Sequence, residues 1–182
     1  MDQNKIARGV RLILEGIGED PNRAGLKDTP QRVAQMCEEI FSGTGREAVL
    51  DVAFSEVLDD NHVVYLRDVS FYSVCEHHLL PFFGKIDIAY IPRGNRVAGF
   101  SAISKIVDHY ARRLQLQERL TGQIADEIMA YLQPKGVLVM ARATQLCTCM
   151  RGSHKKEMTT LTEALRGELP LERIGNLRNM TS

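Results

Sequence analysis

An α+β protein with a mostly antiparallel sheet is predicted by the order in which the periodicities follow one another. Helical spacing comes first, twice. Strand alternation follows, twice, and then two more helical stretches and two more strands. No internal repeat interrupts that order, and 182 residues suit one core-bearing domain better than two.

Residues 3–17 carry Ile6, Val10, Ile13 and Leu14 at helical spacing and end at Gly16 and Gly18. Residues 20–25 read as a loop. Asp28-Thr29-Pro30 supplies an N-cap and a first-turn proline for a second helix, with Val33, Met36, Cys37 and Ile40 on one face. Ser42-Gly43-Thr44-Gly45 stops it. Residues 46–61 are acidic and irregular and read as a connection. The stretches 63–66 and 69–74 carry strand signals, residues 84–91 alternate cleanly, and 92–95 form a turn. Residues 101–112 and 115–133 read as helices, the second with Leu116, Leu120, Ile124 and Ile128 four apart. Pro134-Lys135-Gly136 breaks it, 137–141 reads as a buried strand, and 159–162 as a last one. The polar tail from Gly167 is expected to fray. Three segments result: an N-terminal helical segment over 1–45, the main domain over 46–167, and a polar tail over 168–182.

Lys plus Arg and Asp plus Glu balance at 23 each, so no global basic field argues for nucleic acid. Aromatics are 6% and Trp is absent, which disfavours a base-stacking platform. No run of 18 apolar residues suggests a membrane span, and the first residues lead into an amphipathic pattern rather than a secretory h-region. The four cysteines therefore read as reduced, cytoplasmic and metal-binding rather than as disulfides.

Two clusters carry the chemistry. Cys75, His77 and His78 fall within four positions, and Cys147 and Cys149 precede Met150-Arg151-Gly152. Cys75, His78 and one late cysteine would make a Cys2His zinc site with a fourth position open, the pattern of a catalytic rather than a structural zinc. On spacing alone a buried cysteine beside a surface histidine explains Cys75 and His78 equally well. Cys149 shares a face with Cys147 if the segment is a strand, and need not if it is a turn. Cys37 lies on an apolar helical face and reads as core.

Cys75-Glu76-His77-His78, Gly84-Lys85, Ala89-Tyr90-Ile91-Pro92, the run from Gln115 to Thr121, and Cys147 with Met150-Arg151-Gly152 together resemble the GTP cyclohydrolase I family. The resemblance extends from the first helix to about Gly167. It implies a tunnelling-type ββααββ fold behind N-terminal helices, an antiparallel sheet, and a toroidal homodecamer with active sites at subunit interfaces. It implies Zn2+ held by Cys75, His78 and Cys147, and His77 as the histidine that moves protons. Gln117 and Glu118 match guanine-reading positions, while Ser101, Lys105, Arg32 and Arg151 match phosphate-contacting ones. The implied reaction opens the imidazole ring of a guanine nucleotide, releases formate, and recloses the product as dihydroneopterin triphosphate.

Four positions depart from the family pattern. Gln145 stands where a histidine is usual, Ala102 and Gln35 where lysines are, and Lys105 where an arginine is. Each lost phosphate contact is a charge-assisted hydrogen bond of roughly 1.5–3 kcal/mol, so the loss of two is expected to weaken triphosphate binding by about a hundredfold or more. Lys155 and Lys156, with His154, are candidates to replace them. Glutamine carries no proton near neutral pH. The expectation is therefore a zinc-dependent hydrolase that opens a guanine nucleotide, with a stop at a formamide or diaminopyrimidine product as one outcome. The competing expectation is a purine-binding or regulatory homologue without turnover.

Overall fold

The computed structural model describes residues 1–48, 54–55, 62–93, 96–155, 157–170 and 172. Two N-terminal helices, α1 (Gln3–Gly16) and α2 (Thr29–Ile40), pack on one another. Asp2 caps α1 by accepting from the Lys5 N–H at 3.0 Å. Asp28 does not cap α2 as the sequence suggested: it is already in the helical region of backbone space, and its carboxylate pairs with Arg32 at 3.6 Å. A short pair, β1 (Phe54–Ser55) with β4 (Arg96–Val97), is all that is described of the 49–61 connection, and the acidic run from Glu56 to Asp60 lies outside the described residues.

The main sheet contains β2 (Val64–Cys75), β3 (Pro81–Ile91), β5 (Leu114–Gln115), β6 (Gly136–Gln145) and β7 (Thr159–Gly167), in the order β5-β2-β3-β6-β7. All pairings are antiparallel except β2 with β5. Helices α3 (Phe100–Ala111) and α4 (Gln117–Leu132) fall between the two hairpins, giving the ββααββ order. Period-two alternation sends Phe71, Phe82, Ile86, Ile88, Val137 and Val139 into a core shared with the helices. The run 137–141 is apolar throughout because both of its faces are covered. Leu138 and Met140 join Ala89, Ile91 and Leu169 on the opposite side. Leu169 is thus buried within the segment expected to fray.

Two strand signals that the sequence separates are one strand. The register shifts between Leu66 and Val69, Asp68 takes a positive φ of 58°, and its N–H is held by the buried Asp87 carboxylate at 2.8 Å. Gly84 has its own steric reason: a Cβ there would lie 1.9 Å from the Arg142 carbonyl oxygen on β6.

On the face away from α3 and α4, Tyr72, Leu161 and Leu165 remain exposed, with Tyr72 stacked on Phe83 at 5.8 Å. No helix among the described residues is long and apolar enough to cross a membrane.

Candidate metal centre and its surroundings

Strand β2 delivers Cys75 at its last residue, and the chain then turns back into β3. The turn is closed at both ends: the Cys75 N–H donates to the Leu80 carbonyl and the Leu79 N–H to the Cys75 carbonyl, each at 2.9 Å. Leu79 takes a positive φ of 54°, unusual for a bulky residue and held here by those bonds. Cys75 is buried beneath the turn, whereas His77 and His78 stand on its exposed side.

The late cluster arrives from β6. After Gln145 the chain forms a single helical turn, α5 (Leu146–Cys149), so the two late cysteines do not share a strand face. Cys147 points toward Cys75. The thiol of Cys149 is buried and donates to the Lys155 carbonyl at 3.4 Å. The ligand atoms of Cys75, His78 and Cys147 all lie within 4.8 Å of one another. Burial, and then the adjoining Cys75 thiol, push the Cys147 thiol above its ordinary range. Two thiols and an imidazole this close suit a thiophilic divalent ion such as zinc, whose charge reverses that penalty by favouring thiolates. Three ligands leave a coordination position open.

Charged groups surround the cluster. Arg151 Nη1 donates to His78 Nε2 at 2.9 Å, so a phosphate-contact candidate shares a corner with a metal ligand. Glu76 accepts two hydrogen bonds from Arg119, at 2.6 and 3.1 Å, and its own N–H donates to the Gln115 carbonyl at 3.1 Å. This fork ties the histidine turn to the first turn of α4, and the Arg119 guanidinium holds the Glu76 carboxyl below the usual carboxylate range. Glu76 and Arg119 were not legible as a pair, because they are 43 positions apart.

Glu118, in the same first turn, is exposed and has no protein partner among the described residues. Gln117 is 3% exposed, and its Nε2 donates to the Ala141 and Thr160 carbonyls, both at 2.9 Å. Its Oε1 accepts from Gln145 Nε2 at 2.8 Å. Ser101 and Lys105 lie on the exposed side of α3, whereas Ala102 is buried in the core at 3% exposure. Lys105 lines a cavity of about 220 Å³ with Asp108, His109 and Arg112, where the turn after α2 meets α3. Arg32 and Gln35 are exposed on α2, in the N-terminal helix pair.

Fold and site together define an α+β protein with an open Cys2His ligand group where the central strands of its sheet end. The chain belongs to the GTP cyclohydrolase I family, whose model matches residues 6–180. Proteins named GTP cyclohydrolase 1 are similar over nearly the whole length. That of Carboxydothermus hydrogenoformans is 51% identical over 169 residues, covering 92% of this chain and 87% of the relative. That of Finegoldia magna is 53% identical over 168 residues, covering 92% and 90%.

Proposed function

We propose that this protein is a zinc-dependent hydrolase that opens the imidazole ring of a guanine nucleotide, with GTP as the first substrate to test. The observation that carries the reading is the convergence of Cys75, His78 and Cys147 beside the helix end that bears Glu118. The relatives' name points to the same chemistry. Zinc bound by these three side chains would supply Lewis acidity and lower the pKa of a water toward neutrality.

The remaining roles belong to this chain's own side chains. His77 stands exposed beside the ligand set, where an imidazole can take and return a proton near neutral pH. Glu118 offers a carboxylate that accepts two N–H groups from one edge of guanine. Gln117 supports that helix end from within, because its own amide is committed to protein partners. Arg151, Ser101, Lys105 and Arg32 are assigned to phosphate. The assembly proposed is a homo-oligomer, a decamer in the family pattern, with sites at its interfaces. The exposed apolar side chains on the open sheet face and on α1 accord with such burial. A cytoplasmic setting is the one that keeps Cys75 and Cys147 as thiols.

A second reading concerns how far the reaction runs. Gln145 cannot take up or release a proton near neutral pH, which is what favours a stop at the formamide or diaminopyrimidine stage. Incubation of the zinc-loaded protein with GTP and with GMP, with products identified by mass and formate quantified, tests both. Formate release that falls by about 10²–10⁴ in His77→Ala supports the hydrolase. Efficient dihydroneopterin triphosphate formation overturns the early stop. Guanine-nucleotide binding without formate at zinc saturation overturns the hydrolase in favour of a binding homologue.

A further inference from the structure

Position 145 has its orientation set from behind. Gln117 is buried, and the two groups its side chain meets across β6 and β7 are backbone carbonyls, those of Ala141 and Thr160. Carbonyls only accept, so both require the NH2 of Gln117, and the amide admits no flip without leaving its donors and both carbonyls mismatched. Its Oε1 therefore faces Gln145. That oxygen in turn requires a donor, which fixes Gln145 with Nε2 inward at 2.8 Å. The Gln145 Oε1 is left on the outward side, and Gln145 has no other side-chain partner among the described residues. Gln145 also directly precedes the helical turn that presents Cys147.

We propose that Gln117 is a positioning residue that locks Gln145 as a fixed hydrogen-bond acceptor beside Cys147, there to receive an N–H or O–H of the reacting purine. The proposal rests on the guanine-nucleotide reading above for the identity of the ligand, but not for the orientation of the amides. Position 145 then recognises a donor without ever titrating, and proton transfer in the cluster falls to His77. A histidine at 145 would donate one ring N–H to Gln117 Oε1 and present its other nitrogen outward. The same buried glutamine would thus fix its tautomer and add an ionisation that the natural chain lacks.

Neutron diffraction from the unsubstituted protein reads the orientation directly and needs no turnover. Deuterons on Gln145 Nε2 directed at Gln117 Oε1 are expected, and Gln145 Oε1 facing Gln117 would overturn the proposal. Function is read from formate release with GTP across pH in the zinc-loaded protein. Gln145→Met lowers kcat about tenfold or more and leaves the shape of the pH profile unchanged, while Gln145→His adds a limb near pH 6.5. Gln117→Met lowers kcat by a similar factor at unchanged zinc content. The Gln117→Met/Gln145→Met double variant is no worse than either single one, because one interaction has been removed twice. Losses that multiply, or a Gln117→Met enzyme within twofold of the natural one while Gln145→Met is impaired, would overturn the positioning role. If Gln117→Met does not fold, the neutron structure and the two Gln145 pH profiles decide. An absence of formate from the natural protein refutes the hydrolase reading alone, since the amide orientation is settled separately by the deuterons.

Discussion

Cys147 and Cys149 are chemically identical and two positions apart, yet their surroundings differ because a helical turn separates their directions. Cys147 faces Cys75 and His78, while Cys149 is committed to the Lys155 carbonyl. Cys75→Ser or Cys147→Ser is therefore expected to weaken zinc binding more than about 100-fold, whereas Cys149→Ser leaves one zinc per chain; metal analysis after dialysis against a competing chelator checks both. A second residue-scale prediction concerns Tyr110. Burial, and then the Glu127 carboxylate that accepts its hydroxyl at 2.7 Å, push the phenol from its ordinary 10 up to about 12. The folded protein thus keeps a proton that the unfolded chain releases. Stability should fall as pH rises from 10 toward about 12, and not below that window. Urea midpoints measured across that range should fall less steeply in Tyr110→Phe; identical slopes would refute the assignment.

At the scale of elements, the site depends on how the β2–β3 turn is tethered to the start of α4. The Glu76–Arg119 fork provides that tether, with both side chains partly exposed at 31% and 44%. An exposed pair contributes little to stability, so its weight is geometric. Arg119→Glu is expected to leave the melting temperature nearly unchanged and to lower kcat/KM for formate release at least about tenfold by displacing His77 relative to Glu118. The exchanged pair Glu76→Arg/Arg119→Glu should recover part of that loss. Failure of the exchange to recover any activity, with the fold intact, would show that the fork does not position the turn.

Among the described residues, one sheet face is left half open. Tyr72 is 74% and Leu161 55% exposed, and β7 is the last strand in the order of the described sheet. Open edges and apolar faces are what subunit association covers. If the proposed assembly uses this face, Leu161→Arg should shift the mass measured by light scattering to smaller species, and formate release should fall with it. An unchanged mass would place the interface elsewhere.

Most of the helices and strands were legible because periodicity and breakers mark them locally. The helix of α2, the alternation of β3 and the four-residue spacing in α4 each carry their own signal. The misread parts are those where a distant partner decides. Two weak strand signals became β2 because Asp87, from the neighbouring strand, holds the bulge at Asp68. The first residue of the expected second central helix, Gln115, became part of β5 because β2 offered it an edge. The same division holds at the site. The sequence by itself determined which side chains can bind a metal, and that position 145 holds an amide, which does not titrate. The choice of Cys147 over Cys149, which spacing alone left open, was implied by the family resemblance and is met by the structure, whereas only the tertiary structure decided that Arg119 reaches Glu76 and that Gln117 fixes the face Gln145 presents. Chemical type is carried by a single residue, whereas direction is set by hydrogen bonds and packing from segments far away in the chain.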